Sequence, residues 1–95
     1  MLSAHANEIP LEGWTELTEE YVELARIWVS STRSFVLIAP EAATTPALLG
    51  SLLVESAYTA AQTYASGGTM SVAEALTEIL RGIDEERARL SEEDT

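Results

Sequence analysis

Between Thr45 and Glu74 the chain carries a start signal, a stop signal and a second start signal. Thr45 can cap a helix, and Pro46 fits its first position, where the missing N–H costs nothing. Gly67 and Gly68 suit a left-handed C-terminal stop. Ser71 and Glu74 then form a capping box that opens another helix. Two helices joined by a short turn are therefore written into the second half of the chain. Everything else must fold around that pair.

The first helix, residues 46–65, is almost without charge, its one ionisable acid being Glu55. At 100° per residue, Ser51, Glu55, Thr59, Gln62 and Ser66 share one narrow arc, with Leu48 and Tyr58 at its margin. A second arc holds Gly50, Val54, Ala57, Ala61 and Ala65, small enough for close approach of another helix. A third holds Leu49, Leu53, Ala60 and Tyr64, bulky enough to pack on a sheet. Glu55 thus belongs to a polar stripe and is expected to face water, since unpaired carboxylates are rarely buried. Pairing with an arginine, or a role in a site, are the other readings of this residue. The second helix shows Val72, Ala75, Leu76, Ile79, Leu80 and Ile83 as one apolar stripe. Its opposite face spaces Glu78, Arg81, Glu85 and Arg89 for ion pairs.

Upstream, "SFVLIA" is short, aromatic and β-branched, and Pro40 ends it, so it reads as a strand. "ELARIWVS" alternates and is the available partner. We expect strands at about 23–30 and 34–39 and a short helical turn near 15–21; the other reading of residues 18–29 is a helix capped by Thr18, with Leu17, Tyr21, Leu24 and Trp28 on one face. Residues 1–13 read as an arm, and 91–95 as a frayed acidic tail. The expected fold class is α+β. It is a β-hairpin packed against two antiparallel helices, forming a single domain over residues 14–90, with Trp14, Tyr21, Trp28 and Phe35 as core or hairpin aromatics.

Charge limits function further. Sixteen acids face five arginines, for a net charge of −11. Such a surface repels nucleic-acid phosphate and anionic membrane alike. Neither a signal peptide nor a membrane-spanning helix is expected, and a cytoplasmic setting fits a chain without cysteine. No cofactor is expected. His5 is the sole histidine and could bind metal only with Glu8, both in the arm; an exposed tail histidine is the simpler reading. Without a second histidine there is no Ser-His-Asp set. Adjacent acids such as Glu19/Glu20 and Glu85/Glu86 diverge on a helix and read as solvated faces, not catalytic pairs. "SGGT" lacks the surroundings of a phosphate loop.

The order "ELARIWVSSTRSFVLIAP", "TPALLGSLLVESAYTAAQTYASGG" and "SVAEALTEILRGIDEERA" resembles a family of short bacterial proteins of unknown function. In that family a hairpin ending in a proline precedes an apolar helix and a capped acidic helix. The resemblance spans residues 23–89. It implies the fold and brings no activity, so no residue inherits a role from it.

The expected function is that of a small acidic, non-enzymatic interaction module acting as a homodimer. Both faces of the hairpin are apolar, and two helices can cover only one of them. One alternative is binding of a small molecule or peptide beside a stripe of Ser51, Glu55, Tyr58, Thr59 and Gln62. Another is an acidic decoy for a basic or nucleic-acid-binding protein, built on Glu8, Glu12, Glu16, Glu19, Glu20 and Glu23.

Overall fold

The computed structural model describes residues 5–39 and 45–93. The element order is β1 (Ala25–Val29), β2 (Ser34–Ile38), α1 (Pro46–Ala65) and α2 (Val72–Glu93), an α+β arrangement of one hairpin followed by two helices. By its internal contacts the chain divides into two compact units, Met1–Ala43 and Thr44–Thr95. Each unit is described in its own frame.

In the first unit β1 and β2 pair antiparallel, with Ile27 opposite Val36 and Trp28 opposite Phe35. The turn needs no glycine because Ser30 serves it. Its N–H donates to the Arg33 carbonyl at 2.8 Å, and its hydroxyl accepts from the N–H groups of Thr32 and Arg33. At the open end, the Ala39 N–H donates to the Leu24 carbonyl. The helical turn expected near 15–21 takes the form of separate tight turns. Leu17 donates to the Trp14 carbonyl and Tyr21 to the Thr18 carbonyl. Isolated turns suit this stretch, since one helical turn fixes several residues for a single hydrogen bond.

In the second unit both helix starts follow their sequence signals. The Thr45 hydroxyl accepts from the Leu48 N–H at 3.1 Å, with Pro46 in the first turn. The Ser71 hydroxyl accepts from the Glu74 N–H, and the Glu74 carboxylate accepts from the Ser71 N–H. Between the helices Gly68 takes a φ of 84°, the left-handed conformation that a β-carbon would oppose. The two helices pack on each other, and so short a connection makes them antiparallel neighbours. Helix α2 runs on through Ser91–Glu93, where a frayed tail was expected, and residues 94–95 lie outside the described residues. An ion pair from Arg89 to Glu93 holds that last turn.

The seam between the helices is made of alanine. Ala57, Ala61 and Ala75 are 5%, 0% and 1% exposed, and they are the buried apolar residues among those described. The small arc of α1 therefore faces α2, as its residue sizes suggest. The bulky arc does not become core within the chain, since Leu53 and Tyr64 are at least half exposed. Of the aromatics, Trp28 and Phe35 are hairpin residues, as expected, and none is core. Trp14, Tyr21 and Phe35 are exposed, and Trp28 is half-buried. With so few residues per unit, flat rings find no second layer inside either one.

Candidate functional site

The polar stripe of α1 forms as a helical arc, and all of Ser51, Glu55, Tyr58, Thr59 and Gln62 are exposed. Only Glu55 and Thr59 of these line a depression, an open one of about 360 Å³ shared with Leu52, Ser56 and Ala60. Ser51, Tyr58 and Gln62 are not brought to it. Its walls come from a single helix. The neighbouring Ser56 hydroxyl is turned back to donate to the Leu52 carbonyl. Thr63 does the same to Thr59, and Ser66 to Thr63. Such back-bonding takes the hydroxyls of Ser56, Thr63 and Ser66 away from the surface. What remains is a water-facing carboxylate beside a threonine.

A larger open depression, about 680 Å³, lies along α2 and was not anticipated. Ile79, Gly82, Ile83, Arg87 and Leu90 line it, with Glu86 and Ser91. The spacing of Ile79, Ile83 and Leu90 was the available signal, and Gly82 widens the space by removing a side chain. Behind it the charged face is knitted by arginine. Arg81 bonds Glu78 at 2.6 Å and Glu85 at 2.8 Å. Arg89 bonds Glu86 and Glu93, not the Glu85 that simple spacing offered. Hydrogen bonds from Arg81 and Arg89 hold the Glu78 and Glu86 carboxyls below the usual carboxylate range. These are solvent-facing helix pairs.

The arm is better ordered than its sequence suggests. The His5 ring packs against Trp28 in a tilted arrangement, with centroids 4.8 Å apart and planes inclined by 58°. Its Nδ1 accepts from the Asn7 N–H. Glu8 reaches Arg26 at 3.2 Å, and Glu23 bonds the same guanidinium at 2.9 Å. His5 is exposed, as expected, and still makes this ring contact, while Glu8 pairs with an arginine. Among the described residues no group of three or more His, Cys, Asp or Glu side chains converges. The arm therefore touches the Arg26–Trp28 side of the hairpin at these two residues, while Phe35 and Leu37 on the same face stay exposed. Alternation and missing long-range cues hid this contact from sequence reasoning.

The opposite face makes no such contact with the arm among the described residues. It carries Ile27, Val29, Val36 and Ile38, with Ile27 72% and Val29 83% exposed. No ionisable side chain stands on this face of either strand. The acidic run has a different character. Glu8 and Glu23 are paired with Arg26, and Glu12, Glu16, Glu19 and Glu20 are exposed on turns and not on one regular surface. Among the described residues no helix is long and apolar enough to cross a membrane.

Comparison with known proteins gives two matches. None of the curated proteins matches the chain. Among solved structures, the chain is similar to one described as "Structure of a putative pyruvate dehydrogenase from the photosynthetic bacterium Rhodopseudomonas palustrus CGA009". The two share 27% identity over 88% of this chain and 85% of that one, with a TM-score of 0.64. The second match is a family model over residues 15–90, most of the chain: the chain belongs to the family described as Domain of unknown function (DUF5076).

Proposed function

We propose that this protein is a small acidic interaction module that works by pairing with a second copy of itself, and that it is not an enzyme. One observation carries the reading. The buried apolar residues among those described are three alanines, while Ile27, Val29, Val36 and Ile38 stand open together on one uncharged face. A contiguous apolar face of this kind marks an association surface. A two-fold dimer is the commonest closed way to cover it. A bacterial cytoplasmic setting suits a cysteine-free chain with a bacterial structural relative.

The dehydrogenase description of that relative supports a catalytic reading only in name. The polar stripe of α1 gives it little help, because its five side chains are all exposed and only Glu55 and Thr59 share a depression, whose walls come from one helix. A basic partner for the turn-borne glutamates is weaker than self-pairing, since these carboxylates share no rigid surface. Sedimentation over about a hundredfold range of protein concentration tests the reading through mass action. We expect a shift from monomer to dimer mass. Monomer mass throughout would remove self-pairing. Consumption of pyruvate above a protein-free blank would remove the non-catalytic part.

A further inference from the structure

The hairpin ladder has a definite parity. The bonds from Ser30 to Arg33 and from Ala39 to Leu24 mark the even residues of the first strand as facing the second. Ile27 and Val36 are then a pair whose backbone groups point away from each other, as do Ala25 and Ile38, and Val29 and Ser34. The outer edge of β2 thus presents the free N–H and C=O groups of Ser34, Val36 and Ile38. Natural edges are blunted by charge, proline or a bulge. The β1 strand carries Arg26, tied to Glu8 and Glu23. The β2 strand, Ser-Phe-Val-Leu-Ile, carries none of these devices, and all five residues are exposed.

Resting on the self-pairing reading, we infer that two copies join through this edge, β2 against β2 antiparallel about a two-fold axis at Val36, into a four-stranded sheet. The register follows from symmetry and parity. Val36 exchanges both hydrogen bonds with its mate, Ser34 faces Ile38, and Phe35 faces Leu37. Each pairing brings apolar or neutral side chains together, which stabilises adjacent strands. Charge selects the same edge. Two chains of net charge −11 repel each other, and the contact that minimises this is a strand without an ionisable group. The two Arg33 side chains lie at opposite ends of the paired strands and do not meet. A foreign basic protein would be drawn to the glutamates of the turns instead. The side-by-side sheets also merge their Ile27, Val29, Val36 and Ile38 faces into one. Five residues of strand make a contact smaller than the roughly 1,600 Å² of a standard interface. The dimer should therefore dissociate on dilution.

Amide hydrogen exchange on the wild-type protein, followed by NMR, separates this inference from the reading beneath it. Ile27 and Val36 both point outward, so they differ only in which edge is covered. At concentrations where sedimentation shows dimer, the Val36 N–H should exchange at least about tenfold more slowly than that of Ile27, and the difference should vanish on dilution to monomer. As a second arm, Val36→Pro should abolish the dimer, while Ile27→Pro, which also removes an outward N–H, should retain it. A dimer in which both amides exchange alike would overturn the edge pairing and leave self-pairing standing. Monomer mass at every concentration would overturn both.

Discussion

Glu55 and Ala61 lie on one helix, six residues apart, and their environments could hardly differ more. Glu55 is exposed beside hydroxyls that bond backward to the helix. Glu55→Gln should therefore change stability by less than about 0.5 kcal/mol in chemical denaturation, as for ordinary surface substitutions. A loss of several kcal/mol would mean a paired, buried carboxylate and would refute the wheel reading. Ala61 is fully enclosed against α2. Ala61→Leu inserts volume into a seam that has no slack, and should destabilise by about 1–3 kcal/mol. An unaltered denaturation midpoint would show that the helices spread apart easily. The contrast separates what size and polarity dictate from what they leave open. Small residues on one arc must face a close neighbour. A polar arc needs only water, and its being polar does not make it a site.

At the scale of elements, local chemistry was legible and long-range packing was not. Thr45, Pro46, Ser71 and Glu74 act within four residues of themselves, so their roles can be read from spacing alone. Ser71→Ala leaves a helix N–H without its acceptor and should cost about 1 kcal/mol. In a domain of this size that lowers the melting temperature by about 4–8 °C. An unchanged melting curve would place the helix start elsewhere. The tilted contact of His5 with Trp28 joins residues 23 positions apart, and no periodicity announces such a contact. The fate of the bulky arc of α1 was equally hidden, because amphipathic pattern says that a face wants cover without saying which chain supplies it. The charged face of α2 makes a further prediction. Its Glu78 and Glu86 carboxyls titrate below their ordinary 4.5 because Arg81 and Arg89 bond the ionised form. The folded helix then binds fewer protons than the unfolded chain, so these pairs support it fully above that ordinary value. The support is lost as pH falls through the lowered values. Melting followed by circular dichroism should be level above about pH 5 and decline below about pH 4. A melting temperature that held level down to pH 3 would show that the pairs add nothing to helix stability.

The molecule as a whole sets attraction against repulsion. Its apolar residues stand on open faces, and its net charge of −11 opposes any second copy that approaches. The two forces differ in range. Apolar and backbone contacts act only where surfaces touch. Charge repulsion reaches across a Debye length, roughly 30 Å at 0.01 M salt and about 8 Å at 0.15 M. The exposed acids Glu12, Glu16, Glu19 and Glu20 belong to the same unit as β2, so a mate docking there lies within reach of their field at low salt and is largely screened from it at moderate salt. Self-association should therefore tighten as salt rises from 0.01 to 0.15 M, by about tenfold or more in dissociation constant if roughly 1.4 kcal/mol of repulsion is screened. Acidification should act in the same direction, since the net charge falls toward zero near a pI of 4.2. Analytical ultracentrifugation at fixed protein concentration and stepped salt measures the trend directly. A dimer that weakens with salt would mean that opposite charges hold the copies together. In that case the acidic run, paired with Arg33 or Arg87 of a mate, would replace the uncharged strand as the basis of association.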